Sequence, residues 1–375
     1  MKLTLVLALC LLVAGSLTGQ SPIPPAKPAN FDVQKIGDGV YAVIRRDPPG
    51  LMCDGNSLFI INDADVIVVD TNNSPSEARE MIAALRKLTS KPVRYVINTH
   101  WHDDHIMGNQ TFHEAFPQAE FIAHQNTREY LPGKGLEARK HMLEGAPLVV
   151  AKIRELVAQN KSFSGAPLTP EERTAYISDI QLVDRYLAEV PRTEIVLPTI
   201  TVTDELRLYR GNRTIDIRYL GRGHTSGDLV VYLPQDNIVA SGDLVVWPVP
   251  LIGRNQSHIA DWSVTLQNLI ALKASIIVPG HGPVLRDDSY LRTMQAMLAS
   301  IARQTDAAVA RGETLDQARK SVKLHEFRQR IAGDDKIRNL LFSNYVASPA
   351  VEAAYTEASA KAHTSPASAG SPGRN

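Results

Sequence analysis

The chain has 375 residues, more than one average domain and within reach of one large α/β domain with additions. Its 40 Lys plus Arg balance 40 Asp plus Glu, which excludes the basic excess of a typical nucleic-acid binder. A hydrophobic share of 44% allows a sizeable core.

Lys2 leads into an apolar run from Leu3 to Ala14 broken only by Thr4, followed by Gly15, Ser16, Thr18 and Gly19. A positive start, a short apolar core and a small-residue exit predict a signal peptide over residues 1–20. The expected product is periplasmic or secreted, and it meets a membrane only during export. The run is short for a membrane span, which needs ~20 apolar residues. Loss of Cys10 would leave Cys53 alone, without an internal disulfide.

Pro22, Pro24, Pro25 and Pro28 predict an extended linker over residues 21–30. A main domain is expected over residues 31–285. Val40–Arg45, Ser57–Ile61 and Val66–Asp70 read as strands, the last two separated by the turn signal Asn62-Asp63-Ala64-Asp65. Ser74–Leu88 has helical spacing, with Met81, Ile82, Leu85 and Leu88 on one face. Val93–Thr99 and Glu120–His124 read as strands. Residues 126–190 carry few strand signals and read as a helical insertion. Strands resume at Thr199–Leu208, Thr214–Leu220, Asp228–Leu233 and Asn237–Gly242. Asp261–Leu272 reads as a helix and Ser275–Pro279 as a last buried strand. A helical extension is expected over residues 286–357, and the Ser/Ala/Gly/Pro mix predicts a disordered tail over 358–375.

Polar clusters follow several of these strands, as sites on strand-end loops do. His100-Trp101-His102-Asp103-Asp104-His105 packs three histidines and two aspartates into six residues. Imidazole and carboxylate are the ligands zinc accepts without thiolate. Alternation on an extended segment points His100 and His102 the same way. A following turn brings Asp104 and His105 towards a second ion, so the spacing suggests two adjacent metals.

Thr99 to His105 resembles the His-x-His-x-Asp-His signature of the metallo-β-lactamase superfamily. Asp70, Gly223-His224-Thr225, Ser241-Gly242-Asp243 and Gly280-His281-Gly282 match in the family's order, and the resemblance covers about residues 31–283. It implies an αββα sandwich with two zinc ions at one edge. His100, His102 and His224 would hold the first zinc, and Asp104, His105 and His281 the second. Asp243 would bridge both, and Asp70 would orient ligands. The implied chemistry is hydrolysis of a lactam, lactone or ester of a small molecule by a metal-bridging hydroxide, with Asp104 orienting it or moving its proton. The pattern departs from the β-lactamases that use a cysteine ligand. Asp243 stands at that position, and Val246 stands where they place a lysine that grips the drug's carboxylate. Di-iron redox relatives normally show an acid for one histidine and a flavin domain, and neither is visible. A non-catalytic metal-binding role is the other alternative.

Trp101 and Trp247 are candidates to line a substrate pocket, with core packing as the alternative. Arg222 is a candidate to bind a substrate carboxylate, with a surface ion pair as the alternative. Asp228 is expected to support the loop after His224, and Asp103 to face solvent. The insertion is a candidate roof for the site. His113, His124, His141, His258, His325 and His363 have no ligand partner at useful spacing, and Cys53 reads as a plain buried cysteine.

Overall fold

The computed structural model describes residues 30–364. The predicted signal peptide, the linker up to residue 29 and residues 365–375 lie outside the described residues. Two sheets form the centre. The first holds seven strands in chain order: β1 (Phe31–Gly37), β2 (Val40–Arg45), β3 (Ser57–Ile61), β4 (Val66–Val69), β5 (Val93–Ile97), β6 (Glu120–His124) and β7 (Ile200–Val202). The second holds five: β8 (Glu205–Arg210), β9 (Arg213–Tyr219), β10 (Leu229–Leu233), β11 (Ile238–Val246) and β12 (Ile276–His281).

Alternation along the strands explains why both faces of each sheet are apolar. In β4, Ile67 and Val69 turn into the core between the sheets, where Ile215, Ile217, Leu229 and Val231 meet them. Val66 and Val68 turn outwards to α1 (Pro75–Leu88) and α3 (Asn109–Ala115), against Met81, Leu85 and Phe112. Val230 and Val239 turn outwards on the second sheet, towards Trp262 and Leu266 of α7 (Ile259–Ala271) and Met294 of α8 (Ser289–Ala310). The result is a helix–sheet–sheet–helix sandwich.

The segment 199–208, read as one strand, is two strands in different sheets. The chain turns at Thr203-Asp204, where the Asp204 carbonyl accepts from the Tyr219 amide at 2.7 Å. Between β6 and β7 run α4 (Gln125–Tyr130), α5 (Leu136–Gln159) and α6 (Pro170–Glu189). Thr169 and Glu172 form a capping box at the start of α6. After β12 and α8 come α9 (Leu315–Ser321), α10 (His325–Ile331), α11 (Lys336–Phe342) and α12 (Ser348–Thr364). The disorder expected from residue 358 does not begin there. Helix α12 continues to Thr364, and Ala358 is buried. Alanine-rich sequence is itself helix-forming when a neighbouring helix covers one face. Among the described residues no helix is long and apolar enough to cross a membrane.

A buried charge network ties α6 to the first sheet. The Arg45 guanidinium meets Asp47 at 2.9 Å, Asp54 at 2.9 Å and Glu77 at 2.7 Å, and Arg185 of α6 also pairs with Glu77. Removing Arg45 strands Asp54 and Glu77 without their main countercharge. Arg45→Ala is therefore expected to destabilise the protein by about 3–5 kcal/mol in urea unfolding. A loss below about 1 kcal/mol would show that the network adds little.

Candidate metal centre

Strand ends deliver the site. Strand β5 ends at Ile97, the chain bends at Thr99 to Trp101, and His102, itself extended, is the N-cap of the short helix α2 (Asp103–Ile106). His100 and His102 thus precede the helix, while Asp104 and His105 lie in its first turn. His224 follows β9, Asp243 lies within β11, and His281 ends β12. The parallel pairing of β11 with β12 slips between Ala240 and Gly242 and again before Val246, so Asp243 sits in an irregular stretch. Gly242 has φ +50°, and a Cβ there would meet Thr99 Cβ at 2.6 Å. A Cβ on Gly280 would collide with Asp243 Oδ1. Both glycines let backbones close in around the carboxylate.

Seven side chains form two cups that share Asp243. His100, His102, His224 and Asp243 make one, and Asp104, His105, Asp243 and His281 make the other. Within each cup the ligand atoms lie within 4.8 Å of one another. His102 Nδ1 stands 3.1 Å from His100 Nε2 and 2.8 Å from His224 Nε2. Asp243 divides its oxygens. Oδ2 lies 3.4 Å from His224 Nε2, and Oδ1 lies 3.1 Å from His105 Nε2 and 3.3 Å from His281 Nε2. Asp104 Oδ2 closes the second cup at 3.1 Å from His281 Nε2.

These residues fit divalent metal. His105 Nε2, His281 Nε2 and Asp243 Oδ1 are buried without a hydrogen-bond partner although they stand close together. All three belong to the second cup, and buried polar atoms gathered this way are costly unless a cation or added protons partner them. The donor set is imidazole and carboxylate, the chemistry zinc prefers when thiolate is absent.

The outer nitrogens of four of the five histidines are held as metal-binding imidazoles require, while His281 Nδ1 is buried without a hydrogen-bond partner. His105 Nδ1 bonds Asp70 Oδ2 at 2.8 Å, His224 Nδ1 the Leu251 carbonyl at 2.8 Å, and His100 Nδ1 meets Thr99 Oγ1 at 3.0 Å. His102 Nε2 bonds Gln256 Oε1 at 2.8 Å. Asp70 is held left-handed at φ +57°. That conformation costs an L-residue roughly 1–2 kcal/mol. The cost is offset by bonds from the Thr99 amide and hydroxyl, both 2.8 Å, and by the His105 contact.

The charges respond to this crowding. Burial pushes His100 down and His224 down to about 3. For His105 burial acts in the same sense, yet Asp104, Asp243 and Asp70 outweigh it and hold the ring well above the usual range. His281 is also held well above it, against burial, by Cys53 and Asp243. Burial raises Asp243, but His281 and His105 outweigh it and hold the carboxyl well below the usual range.

Beside the second cup opens a chamber of about 360 Å³ lined by Trp101, His102, Asp104, Cys53 and residues of α5 and α6. Trp101 is buried, its ring centroid 4.3 Å from that of His102. The insertion helices thus cover the site. The expected pocket role of Trp247 is not met. Its ring packs at Gly282 and under Arg338 of α11 at 4.9 Å, because the chain past β11 turns towards the C-terminal helices. Arg222 also stays outside the chamber, exposed and paired with Asp261 at 2.5 Å. Asp103 does not face solvent freely. Arg139 of α5 grips it at 2.9 and 3.1 Å, and the Tyr186 hydroxyl of α6 donates to it at 2.5 Å. Asp228 accepts from the Thr225 amide and hydroxyl and supports the loop after His224. His258 bonds Ser226 at 2.7 Å and joins neither cup. Cys53, read as plainly buried, is partly exposed and lines the chamber beside Asp104.

Thr99, Gln256, Arg139 and Tyr186 were not singled out from sequence. Thr99 adjoins the histidine cluster, which is a signal of position. Gln256 lies 154 residues from His102 and carries none.

Gln256→Ala is expected to weaken metal binding about 10–100-fold, read by chelator competition, and an unchanged affinity would remove its role. The pH dependence follows from the raised rings. Groups raised in the folded metal-free protein add stability below their unfolded pKa and lose it as pH rises through the folded value. Metal must displace those protons from His105 and His281. Metal uptake near neutral pH should therefore release up to about two protons, and affinity should fall as pH falls. Calorimetry in buffers of different ionisation heat reads this, and uptake without proton release would contradict it.

The profile of the metallo-beta-lactamase superfamily matches residues 51–281. The linear primary-alkylsulfatase of a Pseudomonas strain is 25% identical over 269 residues, covering 69% of this chain and 48% of that protein. The metallo-beta-lactamase type 2 of Bacillus cereus is 25% identical over 246 residues, covering 64% of this chain and 72% of that protein. The chain thus spans about half the length of the alkylsulfatase it matches. The solved metallo-beta-lactamase from Pontibacter korlensis superposes with a TM-score of 0.47 at 20% identity, covering 72% of this chain and 98% of that one. With the superfamily profile matched from residue 51 to residue 281, the chain belongs to the metallo-beta-lactamase superfamily.

Proposed function

We propose that the protein is a hydrolase that holds two zinc ions and cleaves an ester, lactone or lactam of a small molecule. The observation that carries this reading is the pair of cups sharing Asp243, whose two oxygens face different histidines. His100, His102 and His224 would hold one ion and Asp104, His105 and His281 the other, with Asp243 between them. Zinc bound there supplies Lewis acidity and a water made acidic, with pKa near ~7.

The chain's own residues do the rest. Asp70, Thr99, Gln256 and the Leu251 carbonyl orient four of the five imidazoles. Asp104 is the carboxylate of the set that lines the chamber, and it would be the residue to orient a water there or accept its proton. Trp101 and the insertion helices wall that side of the site. Among the described residues lining the chamber no unpaired lysine or arginine offers a grip for a drug carboxylate, since Arg139 is paired with Asp103, and Val246 is buried in β11. That favours neutral esters and lactones over β-lactams. The match to an alkylsulfatase makes alkyl sulfate esters a second substrate class for the same site.

The test is a hydrolysis panel with metals counted in the same sample, covering a chromogenic cephalosporin, a carbapenem, acyl-lactones, carboxylic esters, an alkyl sulfate and a phosphodiester. Turnover of esters or lactones with about two zinc ions bound is the expected result. His102→Ala is expected to lose at least about 10³-fold in kcat/KM and part of the bound metal. Full activity in a metal-poor H102A protein would sink the reading.

A further inference from the structure

We infer that the chamber beside the metal centre binds an uncharged hydrocarbon tail of the substrate, an inference that rests on the hydrolase reading above. Its volume of about 360 Å³ falls in the range of pockets built for small ligands. His102 and Asp104 lie in its wall, so a bond held at the cups leaves the adjoining part of the substrate in the chamber. Much of the remaining wall is apolar, from Trp101, Met142, Leu182 and Val183. Met142 is 37% exposed and marks where the chamber opens on α5.

The polar side chains that reach the chamber are already bonded within the protein. Asn73 donates to Asp54 at 2.7 Å. Arg139 and Tyr186 both spend their polar groups on Asp103. The Tyr345 hydroxyl donates to the Leu51 carbonyl. Arg139 is the one lysine or arginine among the described lining residues, and Asp103 neutralises it. A carboxylate at the far end of a tail, away from the cups, would lose its water and find no unpaired lysine or arginine among the described lining residues. A methylene chain carries no such cost, and each CH₂ it buries is worth about fourfold in binding.

The test is a series of p-nitrophenyl esters with linear acyl tails from acetyl to dodecanoyl, run on the metal-loaded full chain. kcat/KM is expected to climb about fourfold per methylene until the chamber fills, and then to level. Ala138→Trp, which fills the chamber from α5, should bring the plateau to shorter tails. An ester whose tail ends in a carboxylate should fall back to the rate of the acetyl ester. Metal-dependent turnover that is flat with tail length overturns the tail site and leaves the hydrolase reading standing. If no ester is turned over, the hydrolase reading fails for esters, and the chamber is read directly with the neutral fluorophore N-phenyl-1-naphthylamine. Displacement of that probe by 1-decanol but not by decanedioate supports the tail site, and failure of the probe to bind overturns it.

Discussion

The carboxylate of Asp243, buried among histidines, is the constraint on which the rest of the structure depends. It is 2% exposed, and its two oxygens face different imidazoles. A charge so placed is tolerable only with countercharge close by, whether protons on His105 and His281 or metal. That demand reaches into the backbone. Gly242 and Gly280 remove the side chains that would block the carboxylate, and the β11–β12 ladder slips around it. Asp70 accepts an unfavourable left-handed turn because its carboxylate anchors both Thr99 and His105.

The insertion helices attach to the parent sandwich at polar points and leave apolar surface between them. Arg139 and Tyr186 clamp Asp103, the residue between two members of the ligand set. Asp179 of α6 accepts the Leu51 and Met52 amides at 3.1 and 2.9 Å, and burial pushes its carboxyl up to about 6. Arg185 joins the network around Glu77. Buried ion pairs add modest net stability, but breaking one is costly, so such contacts are better at fixing orientation than at holding a fold together. Here they fix two helices over the metal turn, and the hydrocarbon side chains of those helices face the space that remains.

This arrangement gives the departures from the cysteine-ligand β-lactamases a physical meaning. An aspartate at position 243 can serve both cups at once through its two oxygens. Valine at 246 is buried in β11, its carbonyl accepting from Tyr290 at 2.6 Å, so that position offers packing and no cation. The guanidinium nearest the chamber is consumed by Asp103. Electrostatics and wall chemistry thus agree in leaving the chamber apolar and without an unpaired lysine or arginine among its described lining residues.

The residues of the two cups were legible because their chemistry is local. Three histidines and two aspartates directly after a buried strand make sense only as a site, and His224, Asp243 and His281 recur beside strands in the same way. The α/β sandwich was legible because runs such as Val66–Val69 are apolar on both faces and need cover on both. Other features depended on contacts between distant residues. Thr199–Leu208 is an uninterrupted strand pattern, and only the sheet each half joins divides it. Arg139 meets Asp103 across 36 residues, and Gln256 meets His102 across 154. Trp101 and Trp247 look alike as aromatic neighbours of ligands, yet one lines the chamber and the other packs beneath Arg338. The sequence by itself determined which imidazoles and carboxylates are gathered as candidate ligands, since ligand chemistry belongs to residue type and short spacing. Only the tertiary structure decided which side chains wall the chamber and which charges neutralise one another, because those depend on how helices far apart in the chain pack over the sheet ends.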